Sequence, residues 1–181
     1  MPYMSAGRKK VLVRRFSRDT LAGYLPSSGF VQQAALELLD LSGRVTPVPM
    51  AEVKMVLYVR DFNLNDRDPE RNLRKTFLAK PRTEGLFLRL KLRDEDILEG
   101  LAPLDLSLLD TAVEDQGIQF TPPDVRSNVQ RIFVPRSAIE SMDLLAVVTT
   151  PSKKKPVVPA PEKSLQEQLF ASEPPPNSRP N

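Results

Sequence analysis

The run Leu86-Phe-Leu-Arg-Leu-Lys-Leu-Arg93 constrains this chain more than any other segment. Leucine recurs at every second position, with Arg89, Lys91 and Arg93 in the alternate places. That period belongs to a β-strand with one buried face. The polar stretch Arg93-Asp-Glu-Asp96 follows, then Ile97-Leu-Glu-Gly-Leu101, and the pair predicts a β-hairpin.

The same form occurs earlier in the chain. Val11-Leu-Val-Arg-Arg-Phe16 leads through Ser17-Arg-Asp19 into Thr20-Leu-Ala-Gly-Tyr-Leu25, and Asp19-Thr-Leu-Ala-Gly23 matches Asp96-Ile-Leu-Glu-Gly100. Self-similarity of this kind is fold evidence, and a glycine inside each second strand suits a bend or bulge. The later parts correspond too. Val48-Pro49 precedes Val53 and Val56 to Val59, as Val134-Pro135 precedes Ile139 and Leu144 to Val148. Proline cannot donate to a ladder, so it fits a strand end. Between these anchors lie Ala35 to Leu39 in the first copy, and Ser107 to Leu109 with Ile118 to Phe120 in the second. Each copy thus offers about five short strands, enough for a small barrel. The expected fold is mainly β, with two tandem five-stranded barrels packed together because units this small bury little surface alone.

The expected organisation is a first repeat over residues 9–61, a polar and basic linker over 62–80, a second repeat over 81–149 and a proline-rich tail over 150–181. Asn, Asp and Pro argue for a loop as far as Pro69, while Leu73, Phe77 and Leu78 could form a short helix or an added strand. Eight of the eighteen prolines follow Thr150, and the tail is expected to be disordered. Within it, residues 164–171 form an amphipathic peptide. Ser164 and Glu167 have capping-box spacing, and Leu165, Leu169 and Phe170 would share a helix face.

The arrangement resembles the SH3-like and Sm-like small barrels. It is also similar to an uncharacterised bacterial domain family of that general shape, through Val-Arg-Arg-Phe16, Leu-x-Gly-Tyr24 and Tyr58-Val-Arg-Asp61. Such likeness implies a fold, and carries little about function. Sm-like proteins assemble into rings that bind RNA, but the residues those rings use for bases are not recognisable in this chain. The tail segment Gln166-Glu-Gln-Leu-Phe170 resembles the peptide that bacterial clients insert into the sliding DNA clamp. That likeness implies partner docking through Leu165, Gln166, Leu169 and Phe170.

The chain has no histidine and no cysteine, so it lacks the commonest general base and any thiolate nucleophile or ligand. Phosphate-binding glycine loops and calcium-loop spacing are also missing. No catalytic residue, metal site or cofactor is expected. The dense carboxylates Asp94, Glu95, Asp96 and Glu99 suit a solvated turn better than a hard cation. The apolar run after Arg8, Lys9 and Lys10 is only Val11 to Val13, too short for a membrane span or signal segment, and a cytoplasmic address is expected.

Charge divides unevenly. Residues 1–80 hold 14 basic against 8 acidic side chains, and residues 81–150 hold 7 against 12. Arg14, Arg15 and Arg18, with Arg71, Arg74 and Lys75 of the linker, are the candidate anion or nucleotide site. Arg14-x-x-x-Arg18 and Asp40-Leu-Ser42-Gly43 resemble the motif pair by which PilZ barrels bind cyclic di-GMP, although Val45 stands where that motif has glycine. Arg89, Arg93, Asp105 and Ser107 echo the pattern. The leading expectation is a non-catalytic binding or adaptor protein with a protein partner recruited by the tail. Binding of a cyclic dinucleotide or nucleic acid by the basic first repeat is the alternative.

Overall fold

Val53–Val59 is buried at every residue, and the rest of the fold is arranged around it. A nearly continuous apolar run is what a strand covered on both faces requires. In the computed structural model, which describes residues 7–64, 73–124 and 126–149, this strand is β6. Before it come β1 (Lys9–Arg15), β2 (Thr20–Leu25), β3 (Val31–Gln32), β4 (Ala35–Asp40) and β5 (Val45–Pro49). After it come β7 (Gly85–Leu92), β8 (Ile97–Ala102), a helix α1 (Ser107–Glu114), β9 (Gly117–Phe120), β10 (Val129–Pro135), a 3-10 turn (Arg136–Ala138) and β11 (Ile139–Val148). Tail residues 150–181, with Leu165, Gln166, Leu169 and Phe170, lie outside the described residues, as does Arg71.

The structure is mainly β. An eight-stranded antiparallel sheet has the order β3-β4-β2-β1-β6-β10-β9, with β5 on the other side of β4, and a three-stranded sheet has the order β11-β7-β8. Both predicted hairpins form: Val11 pairs with Gly23 in β1–β2, and Leu88 with Gly100 in β7–β8. The pairing pattern also recurs, because β6 returns to β1 and β11 returns to β7.

The expected pair of closed barrels is not what these strands build. Both sheets are open, and β10 of the second half pairs with β6 of the first, Ile132 opposite Leu57. The physical reason is β6, whose two apolar faces and two ladder edges need cover from more strands than one small unit supplies. One core cluster holds Leu12, Met55 and Leu57 of the large sheet with Leu88, Leu90 and Leu98 of the small one. The other, with Val11, Leu38, Val56 and Phe133, belongs to the large sheet and its loops; there Phe30 meets the Phe133 ring edge-on at 5.0 Å.

Two further expectations need correction. Ser107 to Leu109 is helical, because Leu106, Leu109 and Val113 follow a helical period while Thr111 turns inward. The repeated glycines mark close approach within regular pairing. A methyl on Gly23 would lie 2.5 Å from the Leu39 carbonyl oxygen, and one on Gly100 would overlap the Phe120 ring. Leu73 to Lys80 forms neither helix nor strand. Leu73 is buried, and the Lys75 carbonyl accepts the Glu99 N–H at 2.7 Å along the edge of β8. No helix among the described residues is long and apolar enough to cross a membrane.

Candidate functional site

The carboxylates of the β7–β8 turn face cations of this same chain. Lys54, buried on β6, reaches Asp94 at 2.8 Å and Asp96 at 2.9 Å, and Lys75 reaches Asp96 at 2.5 Å. Burial by itself would raise the Asp96 carboxyl, but hydrogen bonds from Lys75 and Lys54 outweigh it and hold it below the usual carboxylate range. Glu99 is 5% exposed; Arg89 donates to its Oε1 at 2.7 and 2.9 Å, and the Phe77 N–H to its Oε2 at 2.8 Å. Lys91 bridges Glu95 and Glu140. Asp96 and Glu99 are therefore not the solvated turn residues expected, and the network ties β6 to the small sheet.

The predicted arginines are partly gathered. Arg14, Arg15 and Arg18 share the β1–β2 hairpin. Arg14 donates to Thr20 Oγ1 at 3.0 Å and to the Arg18 carbonyl. Arg15 donates to Asp19 and, at 3.1 Å, to Glu52. Arg18 is exposed at the turn with φ 72°. Lys75 joins the Asp96 network instead, and Arg74 is exposed beside it in sequence. Arg93 lies 4.3 Å over the Phe16 ring and donates to the Ala51 carbonyl.

Both Asp-Leu-Ser triplets adopt the same local turn. Asp40 Oδ1 accepts from Ser42 N at 2.8 Å and Ser42 Oγ at 2.6 Å; Asp105 Oδ1 accepts from Ser107 N at 3.0 Å and Ser107 Oγ at 2.5 Å. The motif-like pattern thus has a turn-chemistry explanation, with the aspartate mimicking a backbone acceptor. A shallow pocket of about 480 Å³ runs from Thr20, Leu21 and Ala22 to Asp40, Ser42 and Thr46, beside the Arg14 hydrogen bond to Thr20.

A larger cleft, about 720 Å³, lies between α1, the end of β8, β9 and residues 81–84. Phe77, Leu101, Leu108 and Phe120 supply apolar walls, and Pro81, Pro103, Pro122 and Pro123 stiffen the surrounding loops. Polar groups of both signs line it too: Arg82 and Arg131, with Glu84, Asp105 and Asp110. Gln119 is fixed among them, donating to the Ser27 carbonyl at 2.9 Å and accepting from Arg131 at 3.2 Å. An apolar concavity with a few oriented polar groups can hold a ligand or peptide segment. Asp105 and Ser107, from the echoed Asp-x-Ser pattern, line the cleft, whereas Arg14, Arg15, Arg18, Arg74 and Lys75 do not. The available signal was the helical spacing of Leu106, Leu109 and Val113 ahead of Pro122-Pro123.

The cleft is anchored by Asp115 at the end of α1. This fully buried carboxylate accepts the backbone N–H groups of Gly29, Phe30 and Val31 at 3.0, 3.0 and 3.3 Å. Burial pushes its carboxyl above the usual range, against those three donors. Tyr58 closes the same loop by donating to the Pro26 carbonyl at 3.3 Å, and burial raises its hydroxyl.

The fold and site therefore define a mainly β protein with an open, mixed-charge cleft beside helix α1. The chain belongs to the family of unknown function DUF6982, whose model matches residues 7–146 and so takes in the cleft and both sheets except the last two residues of β11. No curated protein and no solved structure matches the chain.

Proposed function

We propose that this chain is a non-catalytic binding protein that takes a polypeptide segment of a partner in the cleft beside α1. The observation that carries this reading is the outer face of α1, where Leu106, Leu109 and Val113 are 73%, 58% and 78% exposed while Ser107, Leu108 and Thr111 of the same helix line the cleft. Apolar groups left in water on the outward side of the helix that walls a polar-lined cavity favour a protein partner over a small charged ligand. The tail peptide with Leu165, Gln166, Leu169 and Phe170 is a second docking element in this reading, and the protein works in the cytoplasm. Its two halves are opened copies of one small SH3-like or Sm-like unit, with the shared pairing of first and last strands as support.

The second reading is an anion or nucleotide sensor at the Arg14–Arg18 hairpin, favoured by the shallow pocket from Thr20 to Asp40 and Ser42. One comparison separates the two. The full chain and its Leu109→Lys/Val113→Lys variant are used to purify partners from native cells, alongside thermal-shift titrations with cyclic di-GMP and single-stranded RNA and DNA. The peptide-binding reading expects a discrete polypeptide retained by the parent and lost by the folded variant. Equal recovery by both, together with saturable stabilisation by a nucleotide that disappears in Arg14→Ala, would replace it with the sensor.

A further inference from the structure

The two halves of the fold end alike but are covered differently. β6 pairs with β1 on one side and β10 on the other, and is buried throughout. Its counterpart β11 pairs with β7, and among the described residues no strand takes its other edge. Met142, Leu144, Leu145 and Val147 of β11 are 52%, 56%, 39% and 52% exposed. Met142 and Leu144 stand opposite Leu90 and Leu88, which lie in the core, so they carry the apolar layer past the last covered strand.

Two other edges of the fold are protected. β5 presents Pro47 and Pro49, which have no N–H to offer. β8 gives its Glu99 N–H to Lys75 and exchanges backbone hydrogen bonds between Leu101 and Thr121. By contrast, β11 is ten residues long and carries no proline. An edge of that length and apolarity is a template for another strand.

We infer that β11 pairs antiparallel with β11 of a second copy of this chain, joining two three-stranded sheets into one six-stranded sheet across a two-fold axis. A second copy is the occupant because pairing needs an unprotected apolar edge on both sides, and β11 offers that edge itself. Pairing with β5 of another copy would meet Pro47 and Pro49 and would propagate as an open chain, whereas self-pairing closes. Charge selects the direction. Glu140 and Asp143 lie in the first half of β11, so antiparallel pairing sets them against uncharged residues of the second half, and parallel pairing would set each against itself. The bulges at Glu140 and Leu145 leave Ser141–Leu144 and Ala146–Val148 as the regular stretches.

The absence of cysteine makes a direct test possible in the full chain. Leu144→Cys and Ser141→Cys are oxidised separately, and the mass of the parent and of Met142→Lys/Leu144→Lys is followed by light scattering across a dilution series. The expected result is a dimer whose dissociation constant rises about tenfold or more in the lysine variant, with efficient cross-linking of the Leu144→Cys variant and little of the Ser141→Cys variant. These positions are exposed, and an unchanged circular dichroism spectrum checks that each variant folds. A parent that stays monomeric at high micromolar concentration overturns the inference. So does a dimer indifferent to both lysines, or equal cross-linking of the two cysteine variants, which would indicate parallel pairing.

Discussion

Asp115 accepts the backbone N–H of Phe30 at 3.0 Å across 85 residues of sequence, so a carboxylate of the second half holds a loop of the first. Asparagine at 115 keeps one acceptor oxygen and turns an amide toward the N–H groups of Gly29 or Phe30. Asp115→Asn is expected to cost about 1–3 kcal/mol, the range for leaving a buried donor unsatisfied. A urea titration checks this, and a midpoint equal to the parent's would show that the three hydrogen bonds contribute nothing.

Acid stability is expected to depend on the β1–β2 turn. Hydrogen bonds from Arg15, then Ser17, lower the Asp19 carboxyl from its usual 3.8 to about 2. A carboxyl lowered in the folded state contributes stability that is present above its unfolded pKa and lost as pH falls through the folded value. The Asp19 contribution is therefore complete above 3.8 and disappears toward about 2, and Asp96, also lowered, acts in the same direction. Asp115 has the opposite sign: its contribution is present below the unfolded pKa and is lost as pH rises through its raised folded value. Denaturation midpoints of Asp19→Asn should fall less steeply than the parent's through this acid window. Parallel curves would contradict the assignment.

Gly100→Ala tests close approach. The added methyl overlaps the Phe120 ring and lies 2.8 Å from the Thr121 carbonyl oxygen, and overpacking of this kind costs about 1–3 kcal/mol. At Gly29, where φ is +68° and nothing lies within 4 Å, alanine meets only backbone strain, about 1 kcal/mol. Thermal unfolding of the two variants should rank them in that order, and the reverse ranking would mean that Phe120 moves aside freely.

Arg89→Met leaves Glu99 buried with the Phe77 N–H as its remaining described donor, and is expected to destabilise by roughly 1–3 kcal/mol. Lysine at 89 should recover only part of this, because it lacks the guanidinium's paired N–H groups. Arg89→Met/Glu99→Gln should recover more, since no uncompensated charge remains. A double-mutant cycle measures the coupling, and additive losses would place the two side chains outside direct interaction.

What the sequence determined by itself was local. The leucine alternation from Leu86 to Leu92, the polar turns at Asp19 and Asp96 and the Val-Pro steps at Pro49 and Pro135 mark strands and their ends, because side-chain period and proline geometry act over a few residues. Tertiary structure decided which distant edges meet. β6 takes β10 from the far half of the chain, and no residue pattern specifies a partner some 70 residues away. It also decided which charges are paired: Arg15 with Asp19 and Glu52, Lys54 with Asp94 and Asp96, and Arg89 with Glu99. The cleft was illegible for the same reason. Its lining comes from loops distant in sequence, and the apolar stripe of α1 faces outward, where a period expected to report the core reports a surface instead.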